Sequence, residues 1–115
     1  MKRIRHIIQV CILNTLILIL MISVSNAQIN SEQFNKAKQL RADGKFDESL
    51  QIFQTLLQHD STNVEYLHNT AYLLCKKGNR IKEETGRQNL FLKAEYLSRK
   101  AIALNSTSAD AHYTY

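Results

Sequence analysis

His59, His68 and His112, the adjacent pair Glu83-Glu84 and Cys75 are the residues whose types suit chemistry. A metal site needs several such groups at ligand spacing, for example two ligands one helical turn apart. The three histidines are scattered, and no cysteine or pair of carboxylates stands at that spacing from any of them. Glu83-Glu84 lies in a charged stretch and reads as a solvated face, not as paired carboxylates for acid-base work. Cys75 falls among Leu73, Leu74 and Lys76 with no histidine beside it, the pattern of a buried small hydrophobe and not of a nucleophile. Asn105-Ser106-Thr107 fits a glycosylation acceptor, but reads better as an ordinary turn between helices. The chain has no glycine-rich phosphate loop. The expectation is a protein without catalysis, cofactor or metal, and with no small-molecule substrate.

Helices must position whatever work remains. The chain has no proline and only three glycines, so each glycine is informative. Before Gly44, Phe34, Ala37 and Leu40 recur every three residues, with Asn30 or Ser31 placed to cap the start. After it, Asp47 is placed to cap a helix with Leu50, Phe53 and Leu56/Leu57 as its stripe. Asn63 is placed to cap a third helix with Val64, Leu67, Ala71 and Leu74 inward, and Gly78 to end it. Residues 79–89 are polar and read as an insert. Leu90, Ala94, Leu97, Ala101 and Leu104 then recur at helical spacing, and Ala109 opens another helix. Nothing alternates with period two over a useful length, so no sheet is expected.

The first 27 residues read differently. Lys2, Arg3 and Arg5 precede an apolar stretch from Ile7 to Val24, and Ser25-Asn26-Ala27 supplies a small-x-small site. That order is the order of a secretory signal removed after Ala27, with an uncleaved membrane anchor through residues 7–24 as the alternative. The chain's net charge of +5 includes those three basic residues. The remainder carries 12 basic against 10 acidic residues, net +2 and interspersed, which excludes a nucleic-acid stripe. Cleavage also leaves Cys75 alone, so no disulfide staples the rest.

The helices pair, and the pairs resemble each other. With Gly44 set on Gly78, Ala37 matches Ala71 and Leu40 matches Leu74; with Asp60 set on Asn105, Ser49 matches Ala94 and Leu56 matches Ala101. A unit of roughly 34 residues with two helices resembles the tetratricopeptide repeat. Ala37, Leu40, Gly44, Phe46, Phe53 and Asp60 carry the likeness in the first unit, and Ala71, Leu74, Gly78, Ala94, Ala101 and Leu104 in the second. The sequence departs from that pattern where Ser61 and Ser106 replace the closing proline, and where the second unit is longer by about 11 residues. The resemblance implies an all-α fold of antiparallel helix-hairpin repeats, an α-solenoid of an exported bacterial type. Its units would be residues 30–63, then 64–108 with an insert at about 79–89, then the start of a third at 109–115.

The same resemblance implies a concave face made by the first helix of each pair. Phe34, Lys38 and Arg41 of one unit, and His68, Asn69 and Tyr72 of the next, would line it. Aromatic and basic groups together suit an extended or acidic peptide. A chaperone-tail carboxylate clamp is excluded, because Phe34, Lys38, Asp110 and Thr114 stand where it needs other residues and only Asn69 fits. The functional expectation is an exported scaffold, periplasmic or envelope-associated, for a protein or peptide partner. It would bind no nucleic acid, and would meet a membrane only if the N-terminal segment is uncleaved. The alternatives are a docking module of a larger envelope enzyme, or a membrane-anchored assembly factor.

Overall fold

The computed structural model describes residues 1–106. Among these the chain forms four α-helices and no strand: α1 (Lys2–Ala42), α2 (Phe46–His59), α3 (Val64–Arg80) and α4 (Glu84–Leu104). It divides into two compact units, Met1–Glu32 and Gln33–Tyr115, and α1 contributes to both. The expected third unit at 109–115 lies outside the described residues.

The first unit is the apolar part of α1, long and apolar enough to cross a membrane, with a mean hydropathy of 2.6 over its best window and none of that window buried. Its hydroxyls are satisfied within the helix. Ser23 donates to the Ile19 carbonyl at 3.0 Å, Ser25 to that of Met21 at 3.1 Å, and Thr15 to that of Cys11. Such back-bonding gives each of these hydroxyls a partner inside its own helix. The expected cap at Asn30 or Ser31 does not form. With no glycine or proline nearby, these are polar residues inside a continuing helix.

In the second unit each helix end has a local cause. Gly44 takes φ +79°, and its N–H bonds to the Arg41 carbonyl at 3.1 Å while that of Lys45 reaches Leu40 at 2.9 Å. That pair of bonds closes α1 in a left-handed turn which glycine adopts without strain. Asp47 does not cap α2. The helix begins two residues earlier than such a cap implies, at Phe46, with Lys45 at the cap position and no side-chain cap bond. Asp47 instead sits in the first turn, where its charge favours the helix dipole. Asn63 caps α3 as expected, accepting from the Tyr66 N–H at 3.1 Å.

Gly78 does not end α3, which continues to Arg80. It is buried, and a Cβ built there would lie 2.8 Å from Cε1 of Phe91 on α4. Its smallness makes room for that ring. The expected insert is likewise mostly helix, since only residues 81–83 separate α3 from α4. Glu83 supplies the cap, its carboxylate accepting from Thr85 N at 2.9 Å and Gly86 N at 2.6 Å. Gln88 then donates to Glu84 at 3.0 Å one turn on. The stretch lacks an apolar stripe because it forms exposed helix ends held by caps and side-chain pairs.

The core forms where α3 packs against both α2 and α4. Phe53, Leu67, Leu73 and Leu74 are its largest buried apolar side chains, with Ala37, Ala71, Ala94 and Ala101 between them. Alanine at these places lets helices approach closely. Ser49 is also fully buried, and its hydroxyl donates to the Ala37 carbonyl at 2.7 Å, joining α2 to α1. Leu104, expected inward, is exposed at the end of α4.

Candidate functional site

One groove of about 560 Å³ is lined by Phe34, Lys38, Arg41 and Ala42 of α1, Phe46 of α2, and Glu65, His68, Asn69 and Tyr72 of α3. All six residues expected on a recognition face fall in it. Spacings of three and four place each set on a single helix face, and the packing of the second unit puts the two faces side by side. Phe34 anchors the α1 side. Its ring meets that of Phe53 edge-on at 6.0 Å between centroids and leans on Tyr66 at 5.6 Å.

Arg41 and Asn69 are not independent ligands, as the sequence alone suggested. Asn69 is almost wholly buried, and its Nδ2 donates to the Glu65 carbonyl at 2.8 Å. That bond fixes the amide so that Oδ1 receives Nη1 of Arg41. The Arg41 guanidinium also lies over the Tyr72 ring, 3.9 Å from the centroid. Asn69 and Tyr72 therefore position Arg41, each by a different physical interaction.

The aromatic and basic groups continue beyond the expected set. Lys38 sits 5.1 Å from the Phe34 centroid. Lys76 lies between Tyr72 at 5.4 Å and Phe46 at 5.9 Å, and Arg80 stands 5.4 Å from Phe46. Tyr72, Lys76 and Arg80 follow each other at intervals of four on α3, a spacing visible in the sequence but outside the pattern of paired helices. Arg80 is partly neutralised by Asp47 at 3.7 Å. No ion pair forms at Lys38, Arg41 or Lys76 among the described residues.

Three other titratable groups among the described residues depart from their ordinary values. Burial pushes the Cys75 thiol up, away from the thiolate a nucleophile needs. Tyr66 is also raised, by burial first and then by Asp60 and Glu65, which disfavours its phenolate. Glu83 is lowered chiefly by the Gly86 N–H it accepts, so it stays ionised as a cap. Among the described residues no three metal-ligating side chains come together. His59 is exposed at the end of α2, His68 lines the groove, and His112 lies outside the described residues, as do Asp110 and Thr114.

An all-helical protein with a basic and aromatic groove is the class these observations define. A model of the family described as Regulator of microtubule dynamics protein 1-3 matches residues 33–115, and the chain belongs to that family. No curated protein and no solved structure matches it. The match corrects the resemblance to the tetratricopeptide repeat. Alanines at helix crossings and glycines near helix ends meet packing needs common to helical proteins, and Gly78, one of the matching glycines, ends no helix here. The matched family is a eukaryotic one, so the bacterial setting has no support.

Proposed function

We propose that the second unit is a non-catalytic protein-binding module whose groove between α1 and α3 receives a peptide segment of a partner. The observation that carries this reading is the groove itself: aromatic faces with cations over them, and Arg41 held in place. Rigid rings and charged forks are the groups on which protein recognition concentrates. The family's description, regulation of microtubule dynamics, speaks of action on a protein assembly and accords with a binding role. In this reading the helices stack as antiparallel hairpins that hold the groove open. The apolar part of α1 directs the protein to a membrane, as an export signal or as an anchor.

Selection of peptides from a random display library against the full chain in a non-ionic detergent tests the proposal. Selected peptides should lose binding to a Tyr72→Ala variant that remains helical and melts cooperatively. Peptides bound equally well by that variant would place recognition elsewhere. Intact mass of the protein recovered from its native membrane separates the two roles of α1, since a chain beginning at Gln28 is a processed export product and a retained Met1 is an anchor.

A further inference from the structure

We infer that the groove reads acidic segments, and that Arg41 receives a carboxylate of an aspartate or glutamate side chain in a bound peptide. The inference rests on the groove being a peptide site and adds what that peptide must carry. Its basis is a row in which cation and ring alternate: Arg41, Tyr72, Lys76, Phe46, Arg80. Lys38 over Phe34 lies to one side. Lys38, Arg41 and Lys76 have no carboxylate within ion-pair distance among the described residues, so their charge is available to a ligand. Glu65 is the one acid among the lining residues, against Lys38 and Arg41.

Arg41 is the specific element. A free arginine loses side-chain freedom when it binds, which subtracts from affinity. Here that loss is already incurred in folding, because Asn69 takes one N–H and Tyr72 supports the guanidinium face. Asn69 cannot turn to offer its amide donor instead, since that group is engaged by the Glu65 carbonyl. A guanidinium has five N–H donors in a rigid fork, and those not given to Asn69 match a carboxylate in a two-bond pair. Lysine at the same place would offer a point charge without the fork.

The groove favours a peptide over the other polyanions. A vesicle surface is broad and cannot follow a hollow, whereas an extended chain can enter one. A nucleic acid would need a longer basic stripe, whereas here Asp47 pairs with Arg80 and Glu65 lies among the lining residues.

The test uses the full chain in non-ionic detergent and a dye-labelled decapeptide of alternating glutamate and alanine, followed by fluorescence anisotropy. The same peptide with glutamine for glutamate should bind at least about tenfold more weakly, the scale of one charged hydrogen bond. Arg41→Gln and Arg41→Lys should each weaken the glutamate peptide by about tenfold or more, and Lys76→Gln, which breaks no hydrogen bond within the fold, by less. Added salt should weaken it further. Equal binding of the glutamate and glutamine peptides, or an unchanged affinity in folded Arg41→Gln, overturns the inference. So does Arg41-dependent binding to phosphatidylglycerol vesicles with none to the peptide. Display-selected peptides that need Tyr72 but carry no excess of acid would overturn this inference and leave the groove as a peptide site; failure of both would end both readings.

Discussion

Gly78 offers the most exacting test of how α3 and α4 fit. Replacing it with alanine brings two opposed effects. Within a helix, alanine is favoured over glycine by about 0.8–1.0 kcal/mol. Against this, the new Cβ would sit 2.8 Å from Cε1 of Phe91 and 3.2 Å from its Cδ1 and Cζ. Carbon atoms rest at about 3.5–4.0 Å, so the ring must withdraw by roughly 0.7 Å or more. Such overpacking costs about 1–3 kcal/mol. The contacts are with the outer part of a half-buried side chain, which points to the lower half of that range. Gly78→Ala should therefore be neutral or destabilising by up to about 1 kcal/mol. In a Phe91→Ala background the obstacle is gone, and the same substitution should stabilise by about 1 kcal/mol. Urea unfolding of the four proteins gives the coupling between the two sites. If Gly78→Ala stabilises both backgrounds equally, Phe91 does not press on Gly78 and the packing of α3 on α4 described above is wrong.

Two further perturbations probe the supports of the groove. Ser49→Ala removes the buried bond to the Ala37 carbonyl and should cost about 0.5–1.5 kcal/mol; an unchanged urea midpoint would show that the bond does not hold α2 to α1. Glu83 has a folded-state pKa below its ordinary 4.5, so its contribution is present in full above that value and is lost as pH falls through the lower one. Melting temperatures of the protein and of Glu83→Gln should thus differ at neutral pH and converge in acid, and parallel curves throughout would remove Glu83 from the cap.

The inward faces of α2, α3 and α4 were legible because apolar spacing reports burial directly. Leu67, Ala71 and Leu74, and Ala94, Leu97 and Ala101, are buried at the intervals that predict them. Helix ends were less legible, since a residue that can cap need not. Asn63 caps because a bend precedes it, whereas Asn30 and Ser31 have helix on both sides. Gly78 carries the same letter as Gly44, but only Gly44 has a positive φ. A glycine signals either a turn or a close approach, and the sequence does not separate them. The six groove residues were reached through a likeness to a different family, and come together because helix faces follow from spacing. The bond between Arg41 and Asn69 was not legible, as it joins two helices 28 positions apart.

Those cross-helix contacts bind fold and site together in a way that shapes any experiment on either. Arg41 ties α1 to α3 through Asn69 and Tyr72, and Phe34 ties α1 to α2 through Phe53. Removing Arg41, Asn69, Tyr72 or Phe34 removes a fold contact as well as a groove wall, so lost binding would be confounded with lost stability. Lys38 and Lys76 are different. Neither makes a hydrogen bond or ion pair among the described residues, and the ammonium of each lies over a ring. A cation over a partly buried ring contributes about 0.5–2 kcal/mol, a modest loss to the fold. The charge they present to a ligand is retained in full until they are neutralised. A joint Lys38→Gln, Lys76→Gln variant therefore separates the two roles that Arg41 combines: it should keep the fold, keep the fork, and lower the affinity and salt dependence of an acidic peptide together.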